Sequence, residues 1–135
     1  MFTSQLSLDI LFSLCRIAEV WLKTKHSPTN KDKLTLNPLL LWFFKHPRIN
    51  IPVTKGELKD VRNAEFNKSL LSLLDSRKGS LPRRFQPVES DLLLIYVLRN
   101  EAGHASTSSP VISERFNELV ERVFFGLFKI VEALY

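Results

Sequence analysis

The chain has 135 residues, of which 44% are apolar and 24% charged, and carries a formal charge of +5. That length, with a mean hydropathy of −0.02, fits a single domain over residues 1–135 and excludes a disordered tail, a collagen-like fibre and a membrane bundle. One cysteine, Cys15, excludes a disulfide-stapled secreted fold and a cysteine-held structural zinc.

The longest apolar stretches, 39–44 and 92–98, fall far short of the roughly 20 residues that a spanning helix needs. The N-terminus lacks a basic lead and holds Asp9 inside its first apolar segment, which argues against a signal peptide. A cytoplasmic protein without membrane association is the expectation.

The spacing of apolar residues predicts about five helices and no strand, an all-α bundle. The first covers 5–25, with Leu6, Ile10, Leu14, Ile17, Val20 and Trp21 as its buried stripe, and Ser27–Pro28 ends it. Asn37 as N-cap and Pro38 in the first helical position open a short helix that stops at Pro47. Thr54 and Glu57 form a capping box for a third helix reaching about Ser76. Ser90 or Asp91 caps the fourth, whose residues 92–98 are apolar on every side and therefore belong in the middle of the bundle. The last helix, from about Val111, buries Phe116, Leu119, Val120, Val123, Leu127, Ile130 and Val131. It is still running at Tyr135, as a domain cut from a longer protein would be.

Charge is unevenly spread. Residues 45–85 hold ten basic and four acidic side chains, a balance of +6, whereas residues 86–135 hold four basic and seven acidic, a balance of −3. The basic middle third suits a polyanionic partner or, equally, a solvated helix face.

Directly after the all-apolar turns comes Arg99-Asn100-Glu101-Ala102-Gly103-His104. A guanidinium there needs an anion, because an unpaired buried charge is among the least tolerated core groups. Asp91 is too far along the helix, and Glu101 points elsewhere. The anion is either a carboxylate from another helix, with Glu118 and Glu121 as candidates, or a substrate phosphate. Gly103 lets the chain turn so that His104 can swing back toward Arg99. Such a pair suits phosphodiester chemistry: imidazole exchanges a proton near neutral pH, while guanidinium forks onto phosphate oxygens. In RNA the neighbouring 2′-hydroxyl can attack, so no metal or cofactor is required.

Residues 98–104, Leu-Arg-Asn-Glu-Ala-Gly-His, resemble the Arg-x4–6-His motif of HEPN domains, in which a polar residue follows the arginine. The resemblance implies an all-α, HEPN-like fold with a four-helix core and a metal-independent endoribonuclease acting as a homodimer, with the two motifs meeting across the interface. It implies Arg99, Asn100 and His104 as the catalytic set, and products bearing a 2′,3′-cyclic phosphate and a 5′-hydroxyl. It also implies a setting in toxin–antitoxin, abortive-infection or CRISPR-associated defence, with an antitoxin or a sensor domain as a further partner. Some members are inactive, so the alternative is a catalytically silent helical module for dimerisation or binding.

Arg77, Lys78, Arg83 and Arg84 form a basic connection suited to RNA contact or simply solvated, and the neighbouring Phe85 reads as tucked into the bundle rather than stacked on a base. Residues 42–44, Trp-Phe-Phe, read as core or dimer surface, and Cys15 as a small buried filler.

Overall fold

The computed structural model describes residues 5–26, 35–75, 85–101 and 109–135, and among these the regular structure is all helix, with no strand. Seven helices occur there: α1 (Gln5–Lys25), α2 (Leu36–Phe44), α3 (Lys55–Asn63), α4 (Phe66–Asp75), α5 (Pro87–Glu101), α6 (Pro110–Glu114) and α7 (Phe116–Leu134). The two additional helices arise where expected continuous helices break. At Ala64 the backbone turns extended (ψ 155°), and the Glu65 carboxylate accepts from the backbone N–H of Asn67 and Lys68. The side chain thus takes the place of the preceding turn for α4. At Arg115 (φ −122°, ψ 29°) the chain leaves α6 and enters α7.

The capping box at Thr54 and Glu57 forms as expected, each side chain bonding the other's backbone N–H, at 3.1 and 3.0 Å. Two helix starts differ from expectation. Thr35, not Asn37, is the N-cap of α2; Asn37 lies inside the helix and donates to the Tyr96 hydroxyl. α5 begins at Pro87, so Ser90 and Asp91 sit within the helix and are buried.

α5 is the centre of the bundle. Every residue from Glu89 to Leu98 is buried, and α1, α4 and α7 pack around it. Trp21 and Lys25 meet Tyr135 at one end, and Glu19 meets Arg99 there, so α1, α5 and α7 run in the same direction. α4 runs against them, with Phe66 beside Asn100 and Leu74 beside Ser90. Gly126 allows the close α5–α7 approach, since a Cβ there would stand 2.6 Å from Ile95 Cδ1 and 3.5 Å from the Asp91 carbonyl. One ion pair crosses this seam: Arg122 bonds Asp91 through Nε, while its Nη atoms donate to the carbonyls of Leu73 and Leu74. A single guanidinium therefore ties α7 to α5 and to the C-terminal turn of α4. Burial pushes the Asp91 carboxyl up, and Arg122 pulls it only part of the way back.

The buried face of α1 departs in part from expectation: Leu14 and Trp21 of the expected stripe pack, partly buried, against the core, but the other four do not. Leu8, Leu11, Cys15, Ala18 and Leu22 face the core, while Leu6, Ile10, Ile17 and Val20 are exposed. Small Cys15 and Ala18 let α1 come close to its neighbours, which the larger stripe would prevent. Val131 of α7 is likewise exposed. Phe43, Phe44, Phe85 and Cys15 are buried, as the sequence suggests. Among the described residues no helix is long and apolar enough to cross a membrane.

Candidate functional site

The sequence directs attention to the last turn of α5, where the buried helix reaches the surface. Leu98 is fully buried, Arg99 half-buried, and Asn100 exposed. Successive helical residues point about 100° apart, so neighbouring side chains of this turn serve different faces.

Arg99 turns toward α1. Its Nε donates to Glu19 Oε2 at 2.9 Å, and the Glu19 Oε1 atom stands 3.4 Å from Lys23 Nζ. The Arg99 side chain keeps 33% of its exposure and Glu19 keeps 14%. The anion is therefore a carboxylate from α1. Glu118, one of the two candidates considered, instead pairs with Arg115, which also holds Asp75. Glu19 engages Nε, and among the described residues no hydrogen bond engages the Nη1–Nη2 edge, the edge that forks onto an anion. Cys15 lies one turn before Glu19, fully buried; desolvation pushes its thiol up, outweighing the opposing influence of the Arg99 charge. A thiol held protonated in this way is no nucleophile.

Asn100 and Glu101 turn the other way, toward α3 and α4. With Val61, Arg62, Ala64, Phe66, Ser69 and Val97 they line a cavity of about 240 Å3. Within this lining Ser69 Oγ donates to the Val61 carbonyl at 3.2 Å. The rim carries one cation, Arg62, one amide, Asn100, and one carboxylate, Glu101. Small-molecule sites usually begin at about 300 Å3, so a short polar cleft of this size suits one segment of a polymer backbone better than an enclosed ligand.

Arg99 and Asn100 are thus adjacent in sequence but have different neighbours: one meets α1 and the other lines the α3–α4 cleft. His104 lies outside the described residues, as do Arg77, Lys78, Arg83 and Arg84. Sequence reasoning missed Glu19 and Arg62. The available signal for Glu19 was an acidic residue between Cys15, Ala18 and Leu22; for Arg62 it was one cation among the ten of the basic middle third. Among the described residues no group of three or more His, Cys, Asp or Glu side chains is placed to hold a metal ion. Comparison with family models, with curated proteins and with solved structures finds no match.

Proposed function

We propose that the chain is an RNA-cleaving domain of HEPN type that works without a metal, Arg99 and His104 acting together on a sugar–phosphate link. The observation that carries this reading is the position of Arg99. It ends the buried central helix, is oriented through Nε by Glu19, and keeps a third of its side chain open. A guanidinium held in this manner is preorganised to grip a phosphate with its remaining edge.

In this reading His104 takes the proton of the 2′-hydroxyl and the resulting oxygen attacks phosphorus. Arg99 neutralises charge building on the non-bridging oxygens. The bond to the 5′-oxygen breaks, and that oxygen leaves with a proton supplied by an imidazolium, giving a 2′,3′-cyclic phosphate and a 5′-hydroxyl. Asn100 and Arg62 border the cleft that would take the adjoining strand, and Arg77, Lys78, Arg83 and Arg84 would add to the chain's attraction for a polyanion. A role in toxin–antitoxin or antiviral defence, with an antitoxin or sensor domain as regulator, belongs to the same reading.

The test is incubation with single-stranded RNA in excess EDTA. Cleavage that vanishes in His104→Ala and in Arg99→Ala, with both variants folded, supports the proposal. Equal cutting by parent and variants removes it. The Arg99–Glu19 pair also favours a second reading, a silent helical module in which Arg99 is structural. That reading predicts no cleavage by any form and a lowered melting temperature for Arg99→Ala.

A further inference from the structure

All nine exposed large hydrophobic side chains among the described residues lie on α1, on α7 or at the C-cap of α7, and the two helices pack along each other in parallel. On α1 they are Leu6, Ile10, Ile17 and Val20, Leu6 being 70% exposed. Their spacing of four, seven and three residues, with Ser13 completing the 3–4 alternation, makes a seam on the face opposite the core. On α7 and its C-cap, Phe124, Phe128, Val131 and Tyr135 form one stripe, Phe128 being 63% exposed, while Phe125 points about 100° away from Phe124. The Phe124 and Phe128 rings stack with centroids 6.2 Å apart. Because Trp21 stands beside Tyr135, equal rise along parallel helices sets Ser13 level with the Phe124–Phe128 pair. The two stripes flank the α1–α7 seam and form one continuous apolar surface.

We infer that this surface is the interface of a symmetric dimer of the chain, in which α1 packs antiparallel on α1 of a second copy with the two-fold axis beside Ser13. Area is the first argument. At roughly 200 Å2 per large side chain and about half exposure, the eight side chains of the two stripes offer on the order of 800 Å2, the share of one partner in a standard interface and more than a monomer ordinarily leaves bare. Charge complementarity is the second. Asp9 and Arg16 are exposed and lie on the same flank of α1, away from α7. An antiparallel pair centred near Ser13 brings Asp9 of each copy beside Arg16 of the other, twice by symmetry. The same register sets Leu6 against Val20 and Ile10 against Ile17, closes the small Ser13 on itself at the axis, and lays the α7 aromatics over those of the second copy.

This inference stands apart from the ribonuclease reading. Glu19, which holds Arg99, is two residues from Ile17 and so about 160° away around the helix. The pairing therefore leaves the two Arg99 sites on outer flanks. A composite cleft with two motifs would need a second, different interface.

The test uses sedimentation velocity and light scattering on the full chain over a micromolar concentration series, with far-UV circular dichroism as the check of fold. The wild-type chain is expected to dimerise, and Ile17→Glu to weaken the dimer at least about tenfold. Asp9→Arg alone and Arg16→Asp alone are each expected to be predominantly monomeric, and an equimolar mixture of the two to recover a dimer. Three results overturn the inference: a wild-type chain that stays monomeric, which leaves the face to another partner; a dimer that survives Ile17→Glu; or charge-reversed singles that fail to associate on mixing. RNA cleavage assayed in the same Ile17→Glu monomer separates the two proposals, since loss of the dimer and loss of cutting are read independently.

Discussion

The Arg99–Glu19 contact yields a prediction in which each energetic contribution can be assigned. Replacing Arg99 by Ala leaves Glu19, only 14% exposed, with Lys23 at 3.4 Å as its remaining cation. Replacing Glu19 by Gln leaves Arg99, a third exposed, free to recover water on its open edge. A charge-assisted hydrogen bond contributes about 1.5–3 kcal/mol when well desolvated, and exposure on the Arg99 side reduces this toward the ~1 kcal/mol of surface pairs. Arg99→Ala is therefore expected to cost about 1–2 kcal/mol, Glu19→Gln about 1 kcal/mol, and the double variant to show a coupling near 1 kcal/mol. For a chain of this length 1 kcal/mol corresponds to roughly 3–5 °C in melting temperature. Urea and thermal denaturation of the four proteins, followed by circular dichroism, closes the cycle. A coupling indistinguishable from zero, or an Arg99→Ala loss above about 4 kcal/mol, refutes the reasoning: the first means the pair is not formed, the second that the guanidinium is sealed rather than half-open.

Removing Arg122 is expected to be far costlier, because it strands the buried Asp91 and frees two carbonyls of α4; Arg122→Met costs about 3–5 kcal/mol by denaturant titration. Its pH profile has a fixed sign. Burial already pushes the Asp91 carboxyl up, and without Arg122 the rise is larger, so above the ordinary carboxylate range the native state keeps a proton that the unfolded state has released. Stability of Arg122→Met therefore falls as pH rises from about 4 toward neutrality, and a flat profile counts against it. Cys15 gives a second pH signature. Its thiol is pushed up by burial, so above the ordinary thiol range of about 8.5 the native protein holds a proton that the unfolded chain has lost, and stability declines by up to ~1.4 kcal/mol per pH unit. Cys15→Ala removes that component of the alkaline slope, and labelling of the native thiol by iodoacetamide is expected to proceed only as fast as the protein opens.

How far the sequence reveals this molecule depends on whether one periodicity or two compete in a segment. α5 was readable because its apolar residues leave no polar side to misplace, and residues 89–98 are indeed wholly buried. The capping box was readable because it is local chemistry, complete within four residues. α1 was not, since it carries two apolar faces. The bulkier one, Leu6, Ile10, Ile17 and Val20, has the stronger hydrophobic signal, yet the core takes the face with Cys15 and Ala18. Hydrophobicity ranks faces by transfer free energy, whereas packing against α5 and α7 ranks them by how closely the helix can approach.

The same misassignment accounts for the missing partner of Arg99. With Leu6, Ile10, Ile17 and Val20 assigned to the core, Glu19 falls on the solvent side of α1 and is not considered. With Leu8, Leu11, Cys15, Ala18 and Leu22 in the core, Glu19 sits at its margin, where a carboxylate needs a cation and Arg99 supplies it. A single rotation of α1 about its axis thus decides both halves of the functional reading. It carries Glu19 inward to orient the guanidinium at the end of α5, and it turns the larger apolar stripe outward beside the aromatic stripe of α7. A helix that is apolar on two faces has two neighbours to satisfy: the bundle occupies one face of α1, and the other is the surface on which a second copy is placed.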